Sequence, residues 1–590
     1  MKKHYETHVE DTDKLISVAG PILEYKSWYE QYRKLMEEQA QRKYGLYTPT
    51  SEDDEDDFPS IPGMIARYSA LGLTNEQMKE NPVWVDKTGN GHGLQMKNLA
   101  WGGMSGVGGY EMNFNLWKNN VPSIPDISMS TTTTSVSVSV GNSTYNNNLI
   151  YIHINNWDIN KNHWLKVTST YEDGDLVFIF YNNNNSKNIE LPANGYVNIP
   201  AYPEFKGNYM YISTTSNKQG SFTIEQLPLY PGALVFDGVD DYGVCDNFPI
   251  LTKKKGYTVV ALRQWITRGE RALGLVSNVK NWLKDGAFLL EYRNIQANHL
   301  NKPISFGAIG SENDLPHILT YQTSKSYNGV SITTGNFEGT DVLHVGKLAP
   351  TNVGTCINAA IWELVFLDHD ATEEELTKIK DYFVKTYPWL FPDQAWTVVG
   401  KTNEDEDRAT IANITGNGNN LVLSNFGFAE GSGYNEEGEY AGYLVTDGVD
   451  DKINSSDFDL GKDWTIVGDW TMLSNIPSNC GIIKALSLFL YNSIDSVTIY
   501  INNGGRPIKI QSKSINAICS DGRIYLNDWT EISKPGVQTE LGSKANLNIA
   551  SYGTTFTKMA FKNLAIYDGK ILSKDDCIKA YNYLQTLKSK

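Results

Sequence analysis

The stretch GALVFDGVDDYG (Gly232–Gly243) returns as GYLVTDGVDDKI (Gly442–Ile453), with every position displaced by 210 residues. In both copies an apolar run leads into an acidic turn on one glycine, Gly238 or Gly448. Two further landmarks repeat in the same order. GLTNEQMKENPVWVDKTGNGHGLQMKNLAWGGMSGVGGY (Gly72–Tyr110) resembles GKTNEDEDRATIANITGNGNNLVLSNFGFAEGSGY (Gly400–Tyr434), sharing Thr-Asn-Glu, Thr-Gly-Asn-Gly and a closing Gly-Tyr. AAIWELVFLDHDATEEELTKIKDYF (Ala359–Phe383) matches MAFKNLAIYDGKILSKDDCIKAYNYL (Met559–Leu584) at a displacement of 200 residues. Three paired landmarks in one order predict a duplicated unit.

Each unit reads as short strands separated by turns, closed by one amphipathic helix. YTVVALRQWI (Tyr257–Ile266), WTIVGDWTML (Trp464–Leu473) and SVTIYINN (Ser496–Asn503) are strand-like. Thr372 with Glu375, and Ser573 with Asp576, have N-cap-to-N3 spacing, and only the first is a full capping box. Many strands and one helix per copy predict a mainly β, antiparallel sandwich.

The copies differ in one interval. Tyr434 precedes Asp447 by 13 positions, whereas Tyr110 precedes Asp237 by 127. Residues 111–230 therefore read as a β-domain inserted into the first unit. Within it, TTTTSVSVSVG (Thr131–Gly141) alternates small polar residues with Val, as a half-buried strand does. HWLKVTSTYEDGDLVFIFYNNNN (His163–Asn185) predicts two strands joined as a hairpin over Glu172–Asp175. The expected division is 1–60 as an N-terminal segment, 61–110 with 231–390 as the first sandwich, 111–230 as the insert, and 394–590 as the second sandwich.

Residues 1–60 differ from the rest. Tyr25, Trp28, Tyr32 and Leu35 form one stripe on a helix-prone stretch, followed by the acidic run SEDDEDD. A stripe this short needs a surface to pack on, either this protein's own sandwich or a docking partner.

The chain of 590 residues has 68 acidic and 51 basic residues, a net charge of −17, which disfavours nucleic acid as a partner. Cys245, Cys356, Cys480, Cys519 and Cys577 are odd in number and lack CxxC spacing, so reduced thiols are expected rather than a disulfide framework. The start MKKHYETHVEDTDKL has no apolar signal core, and no apolar run has the length of a membrane span.

LVFDGVDDYGV, YTVVALRQW and the closing strand–helix together resemble a laminin-G or concanavalin-like jelly roll. The second copy departs from that pattern at Thr446 and Lys452, where the first has Phe236 and Tyr242. IPGMIARYSALGLTNE, DKTGNGHGLQMKNLAWGGMSGVGGY and TIEQLPLYPGALVFDGVDDY are similar to virion proteins of crAss-like and related phages of Bacteroidetes. That resemblance implies a head fibre, decoration or tail fibre, assembled in a host cytoplasm. It also implies docking to capsid or tail proteins by residues 1–60, homo-oligomers, and lectin-like domains directed at cell-surface or mucus glycans.

Chemistry-bearing candidates are few. Asp237, Asp240 and Asp241, and again Asp447, Asp450 and Asp451, offer hard oxygens to calcium. The competing reading is a tight turn, with glycine at positive φ and Asp side chains capping backbone amides; it is the one preferred here, and no cofactor is expected. Thr88–Gly93 and Thr415–Asn420 lack a phosphate-loop pattern and read as strand-entry loops. In INNWDINKNHW (Ile154–Trp164), Trp157 is the candidate exposed platform for a sugar, and Trp164 is expected in the core. No HExxH pair, GxSxG elbow or E-x-D-x-x-E strand is present, so the expectation is a protein that is not an enzyme. The alternatives are a glycan-processing enzyme of the same fold and a bacterial surface glycan-binding protein.

Overall fold

The computed structural model describes residues 57–589 apart from 120–126, 142–151, 215–218, 251–255, 268–273, 278–288, 306–316, 332–339, 348–355, 474–479, 502–507, 511–513 and 534–544, and a few shorter pieces. The stripe Tyr25, Trp28, Tyr32 and Leu35 lies outside the described residues. The fold is mainly β: tandem antiparallel β-sandwiches with a third β-domain inserted into the first.

Each sandwich pairs two eight-stranded sheets. In the first, the long strand Asn358–Leu367 lies beside Thr258–Thr267 on one edge. Its other edge is shared, with Leu234–Asp237 on Asn358–Ile361 and Met64–Ser69 on Glu363–Leu367. In the second, Met559–Asp568 lies between Trp464–Met472 and the pair Leu444–Val445 and Gln394–Thr397. The opposite sheets also correspond strand for strand. One runs Val83–Trp84, Leu94–Lys97, Tyr242–Cys245, Leu343–Val345, Val276–Ser277; the other runs Thr410–Ile411, Leu421–Ser424, Lys452–Phe458, Ala545–Ile549, Cys480–Ala485. Identical strand order in both copies is the structural counterpart of the repeated landmarks.

The repeated Thr-Asn-Glu has a structural purpose. Asn75 accepts from Val107 N at 2.8 Å and donates to Val107 O at 3.1 Å. Asn403 does the same to Tyr434, at 2.8 Å each way. One amide side chain thus imitates a strand, satisfying both backbone groups of an edge residue. The Thr-Gly-Asn-Gly loops wrap a central side chain in the same manner. Thr88 N and Oγ1 donate to Asp86 at 3.0 and 2.7 Å, and Thr415 N and Oγ1 to Asn413 at 3.2 and 2.9 Å.

The inserted domain has two five-stranded sheets around its own apolar core. The strand Ser135–Val140 alternates as expected, with Val136, Val138 and Val140 buried. The hairpin expected over Glu172–Asp175 is corrected. His163–Ser169 pairs with Asn194–Ile199 and Gly220–Gln226, whereas Leu176–Asn182 pairs with Asn185–Leu191 and Tyr209–Thr214. The connection crosses between sheets because Leu165 and Val167 on one strand, and Leu176, Phe178 and Phe180 on the other, all enter one core. The further turn that the sequence marks at Asn182–Asn185 is where Leu176–Asn182 and Asn185–Leu191 join, Asn182 pairing with Asn185.

The helices Glu373–Thr386 and Lys574–Gln585 close the two sandwiches. The first carries the full capping box: Glu375 N donates to Thr372 Oγ1 at 3.2 Å and Thr372 N to Glu375 Oε2 at 2.7 Å. In the second, Asp576 N donates to Ser573 Oγ at 3.1 Å. A further short helix, Asn75–Glu80, precedes the first sandwich's edge strand. Both closing helices bury their apolar stripes in one continuous core, with Trp362, Trp389, Val467, Tyr525 and Tyr567. This core joins the two sandwiches, and Trp164, Leu227 and Leu229 of the insert pack against it.

Candidate functional sites: acidic turns, open sheets and a domain junction

The two acidic turns are near copies. Val239 N donates to Asp237 Oδ1 at 2.7 Å, and Val449 N to Asp447 Oδ1 at 2.7 Å. Asp237 N donates to Asp241 Oδ2 at 3.0 Å, and Asp447 N to Asp451 Oδ2 at 2.8 Å. Asn98 and Asn425 brace the turns through the Asp240 and Asp450 carbonyls at 3.1 and 3.0 Å. Gly238 and Gly448 have φ of +81° and +77°, and a Cβ at Gly238 would meet Asn358 at 2.8 Å. In each cluster the three carboxylates can place an oxygen within 4.8 Å of one another.

The donor chemistry fits calcium poorly. Calcium takes six to eight oxygens, while each turn spends two carboxylate oxygens on its own amides. Burial, reinforced by Asp237 and Asp240, pushes the Asp241 carboxyl up to about 7; burial does the same to Asp451, to about 6. Hydrogen bonds to Asp237 N and Asp447 N oppose those shifts. The arrangement accounts for itself as a turn whose innermost carboxyl readily takes a proton.

The two sheets of each sandwich have different outer faces. Strands of the sheet bearing the closing helix are buried on both sides: Thr258–Gln264 and Ala359–Leu367 are buried at nearly every position. The opposite sheet alternates over Leu94–Lys97 and Tyr242–Cys245, while Leu343–Val345 and Val276–Ser277 in the same sheet are buried at every position. Leu94, Met96, Gly243 and Cys245 point inward, and Gln95, Lys97, Tyr242 and Val244 do not. In the second sandwich Leu423, Ile453 and Ile549 point inward, against Val422, Asn454 and Asn548. Beside each of these sheets a lysine lies over an aromatic ring: Lys347 Nζ is 4.3 Å from the Tyr242 ring centroid, and Lys452 Nζ is 5.6 Å from that of Phe556, which belongs to a separate two-stranded hairpin.

Trp157 is not a platform. It is 7% exposed, with its ring 4.7 Å from Phe178 and 4.3 Å from His163. The polar neighbours Asn155, Asn156 and Asp158 suggested exposure, but the indole fills the insert's core. Trp164 is corrected in the opposite sense. It is half-buried at the boundary with the second sandwich, edge-on to Tyr581.

Beside Trp164 is a cavity of about 300 Å³ between the insert and the second sandwich. The insert contributes Glu111, His163, Trp164 and Gln226; the second sandwich contributes Lys562, Asn582 and Gln585. His163 Nδ1 is 3.4 Å from Glu111 Oε2, and its Nε2 is 2.7 Å from the Asp158 carbonyl. Gln226 holds the Met112 backbone, accepting from N at 3.1 Å and donating to O at 2.6 Å. Asp469, just behind, accepts from Tyr443 Oη at 3.0 Å and Gln585 Nε2 at 3.2 Å. Burial lowers the Lys562 pKa, opposed by Asp469 and Glu111. Sequence reading missed this site because its residues come from strands, loops and the second closing helix, up to 474 positions apart.

No family model and no curated protein matches the chain. Among solved structures, the chain is similar to domain 4 of AbnA, a GH43 extracellular arabinanase from Geobacillus stearothermophilus, in complex with arabinotriose. The identity is 12%, over 32% of this chain and 98% of that one, with a TM-score of 0.21. It is also similar to Trypanosoma rangeli sialidase in complex with sialic acid, at 8% identity over 80% of this chain and 86% of that one, with a TM-score of 0.25. NanB sialidase from Streptococcus pneumoniae aligns at 11% identity over 53% and 60% of the chains, with a TM-score of 0.19. The expectation that the chain is not an enzyme is corrected: sialidases and a domain of an arabinanase stand among these neighbours, and the exclusion is withdrawn. Likeness at these scores assigns no activity to this chain. Among the described residues, no helix is long and apolar enough to cross a membrane.

Proposed function

We propose that the protein binds carbohydrate through the open sheets of its two sandwiches. The observation that carries this reading is a partly exposed polar stretch repeated in both copies, Gln95, Lys97 and Tyr242 in the first and Val422, Lys452 and Asn454 in the second, each with an aromatic ring beside a lysine. An aromatic face packs against the C–H face of a sugar ring, and neighbouring amides and ammonium groups meet its hydroxyls. Two such faces on one chain raise the avidity for a repeating glycan.

The resemblance of the Ile61–Tyr110 and Thr223–Tyr242 stretches to phage virion proteins supports a location on a virion, with residues 1–60 as the docking segment to capsid or tail proteins. In this reading the protein is a head- or tail-attached appendage, displayed in several copies and directed at cell-surface or mucus glycans.

The test is a glycan array probed with the full chain, followed by titration of the best ligand and mass spectrometry of that ligand for cleavage. Tyr242→Ala and Phe556→Ala are each expected to weaken binding, and the double variant to abolish it. Binding unchanged in the double variant, or no binding to any glycan, rejects the reading. Mass spectrometry and cryo-electron microscopy of purified particles test the location; absence from the particles rejects it.

A further inference from the structure

The junction cavity is unlike an apolar packing defect, because its walls combine charged, amide and apolar side chains. Lys562 lines it, and among the described residues its ammonium has no hydrogen bond or ion pair; the Tyr443 ring lies 5.4 Å away, and the Asp469 and Glu111 carboxylates act on it through space. Asn582 also lines it, and although only 6% exposed, its side-chain amide has no hydrogen-bond partner among the described residues. Lys562 and Asn582 thus turn open hydrogen-bonding capacity toward one cavity, which points to a polar occupant. The volume of about 300 Å³ lies at the lower end of the range for small-molecule sites.

The lining also states what kind of occupant. Lys562 and Glu111 place opposite charges on the cavity, so a ligand with a full charge meets attraction from one and repulsion from the other. Hydroxyls suit both, donating to Glu111 and accepting from Lys562 and Asn582. Gln585 Nε2 is engaged by Asp469, leaving its carbonyl oxygen for a further donor. Trp164, Leu227 and Leu229 supply an apolar wall. A compact molecule with hydroxyls around its rim and one C–H face satisfies all of these.

We propose that the junction between the insert and the second sandwich is a binding site for a single uncharged pyranose unit. The assignment rests on the reading that the protein binds carbohydrate, but it uses none of the open-sheet residues. Because two units of the chain form the walls, occupancy also ties the insert to the second sandwich.

The experiment is saturation-transfer NMR on the full chain with D-glucose, D-galactose, D-mannose and N-acetyl-D-glucosamine. At least one is expected to bind, with Lys562→Met and Asn582→Leu each weakening it about tenfold. Ala441→Leu fills the cavity without removing a polar group and is expected to abolish the signal. Val239→Ser, at an exposed turn position, is the control expected to leave it unchanged. No binding of any of the four sugars overturns the proposal. So does a signal that survives in folded Ala441→Leu and Lys562→Met, or one lost only in Tyr242→Ala with Phe556→Ala. Array binding without a cavity signal removes this proposal alone; a cavity signal with a blank array removes the open-sheet reading alone.

Discussion

Trp164 and Tyr581 meet edge-on across the boundary between the insert and the second sandwich, their ring centroids 5.2 Å apart and their planes at 75°. Trp529 approaches the same tyrosine from the other side, at 5.6 Å and 90°. Tyr581 is thus one residue through which two units of the chain share one core, together with the insert's Leu227 and Leu229.

That contact is expected to couple the stability of the two units. Trp164→Ala combined with Tyr581→Leu in a double-mutant cycle should give a coupling of about 0.5–1.5 kcal/mol. Chemical denaturation of the four proteins measures it. A coupling of zero would mean that the units merely abut.

The asparagine clamps are expected to be equivalent in the two copies. Asn75→Ala and Asn403→Ala each remove two hydrogen bonds and strand a backbone N–H and C=O. Each should therefore cost about 1–3 kcal/mol. Hydrogen exchange at Val107 and Tyr434 should rise in the matching variant and not in the other.

The acidic turns make a pH prediction. Asp241 has a folded-state pKa raised to about 7, while the unfolded carboxyl titrates near 3.9. Between those values the folded state binds more protons, so this group's contribution falls as pH rises from about 4 to 7 and is level above that. Asp241→Asn should therefore gain on the parent protein in Tm over that interval. A cation site predicts the reverse, with the variant less stable and the parent Tm rising on addition of calcium. Thermal melts at several pH values, with and without calcium, separate the two.

The buried ion pair of the first sandwich makes another. Arg67 Nε and Nη2 reach both Glu363 oxygens at 3.1 and 3.2 Å, and Tyr387 Oη donates to Glu363 at 2.8 Å. By strand register the second copy has Ala395 and Asn563 at these positions. Arg67→Met alone leaves a buried carboxylate and should cost about 3–5 kcal/mol. The pair Arg67→Met with Glu363→Leu should cost much less, as the charge-free second copy already indicates. Equal losses in the single and double variants would contradict this account.

Much of the fold was legible because strand and turn signals are local. The repeated DGVDD marked equivalent strand ends, since glycine at positive φ and an Asp accepting neighbouring amides are requirements of the turn itself. The capping box at Thr372 and the N-cap at Ser573 were legible for the same reason. The Glu172–Asp175 connection was not: the same four residues can close a hairpin or cross between sheets, and the choice depends on where Leu165 and Phe178 find a core. Trp157 and Trp164 were misplaced because a local polar neighbourhood does not report which surface is later covered.

By itself, the sequence determined the duplication, the mainly β class, the capped closing helices and the conformation of the acidic turns. Each follows from interactions within a few residues or from patterns of period two. The tertiary structure alone decided which sheet of each sandwich is sealed and which is open. It also brought Glu111 and His163 against Lys562 and Asn582. Those outcomes depend on apolar area buried between segments hundreds of residues apart, and no local pattern encodes which segments will meet.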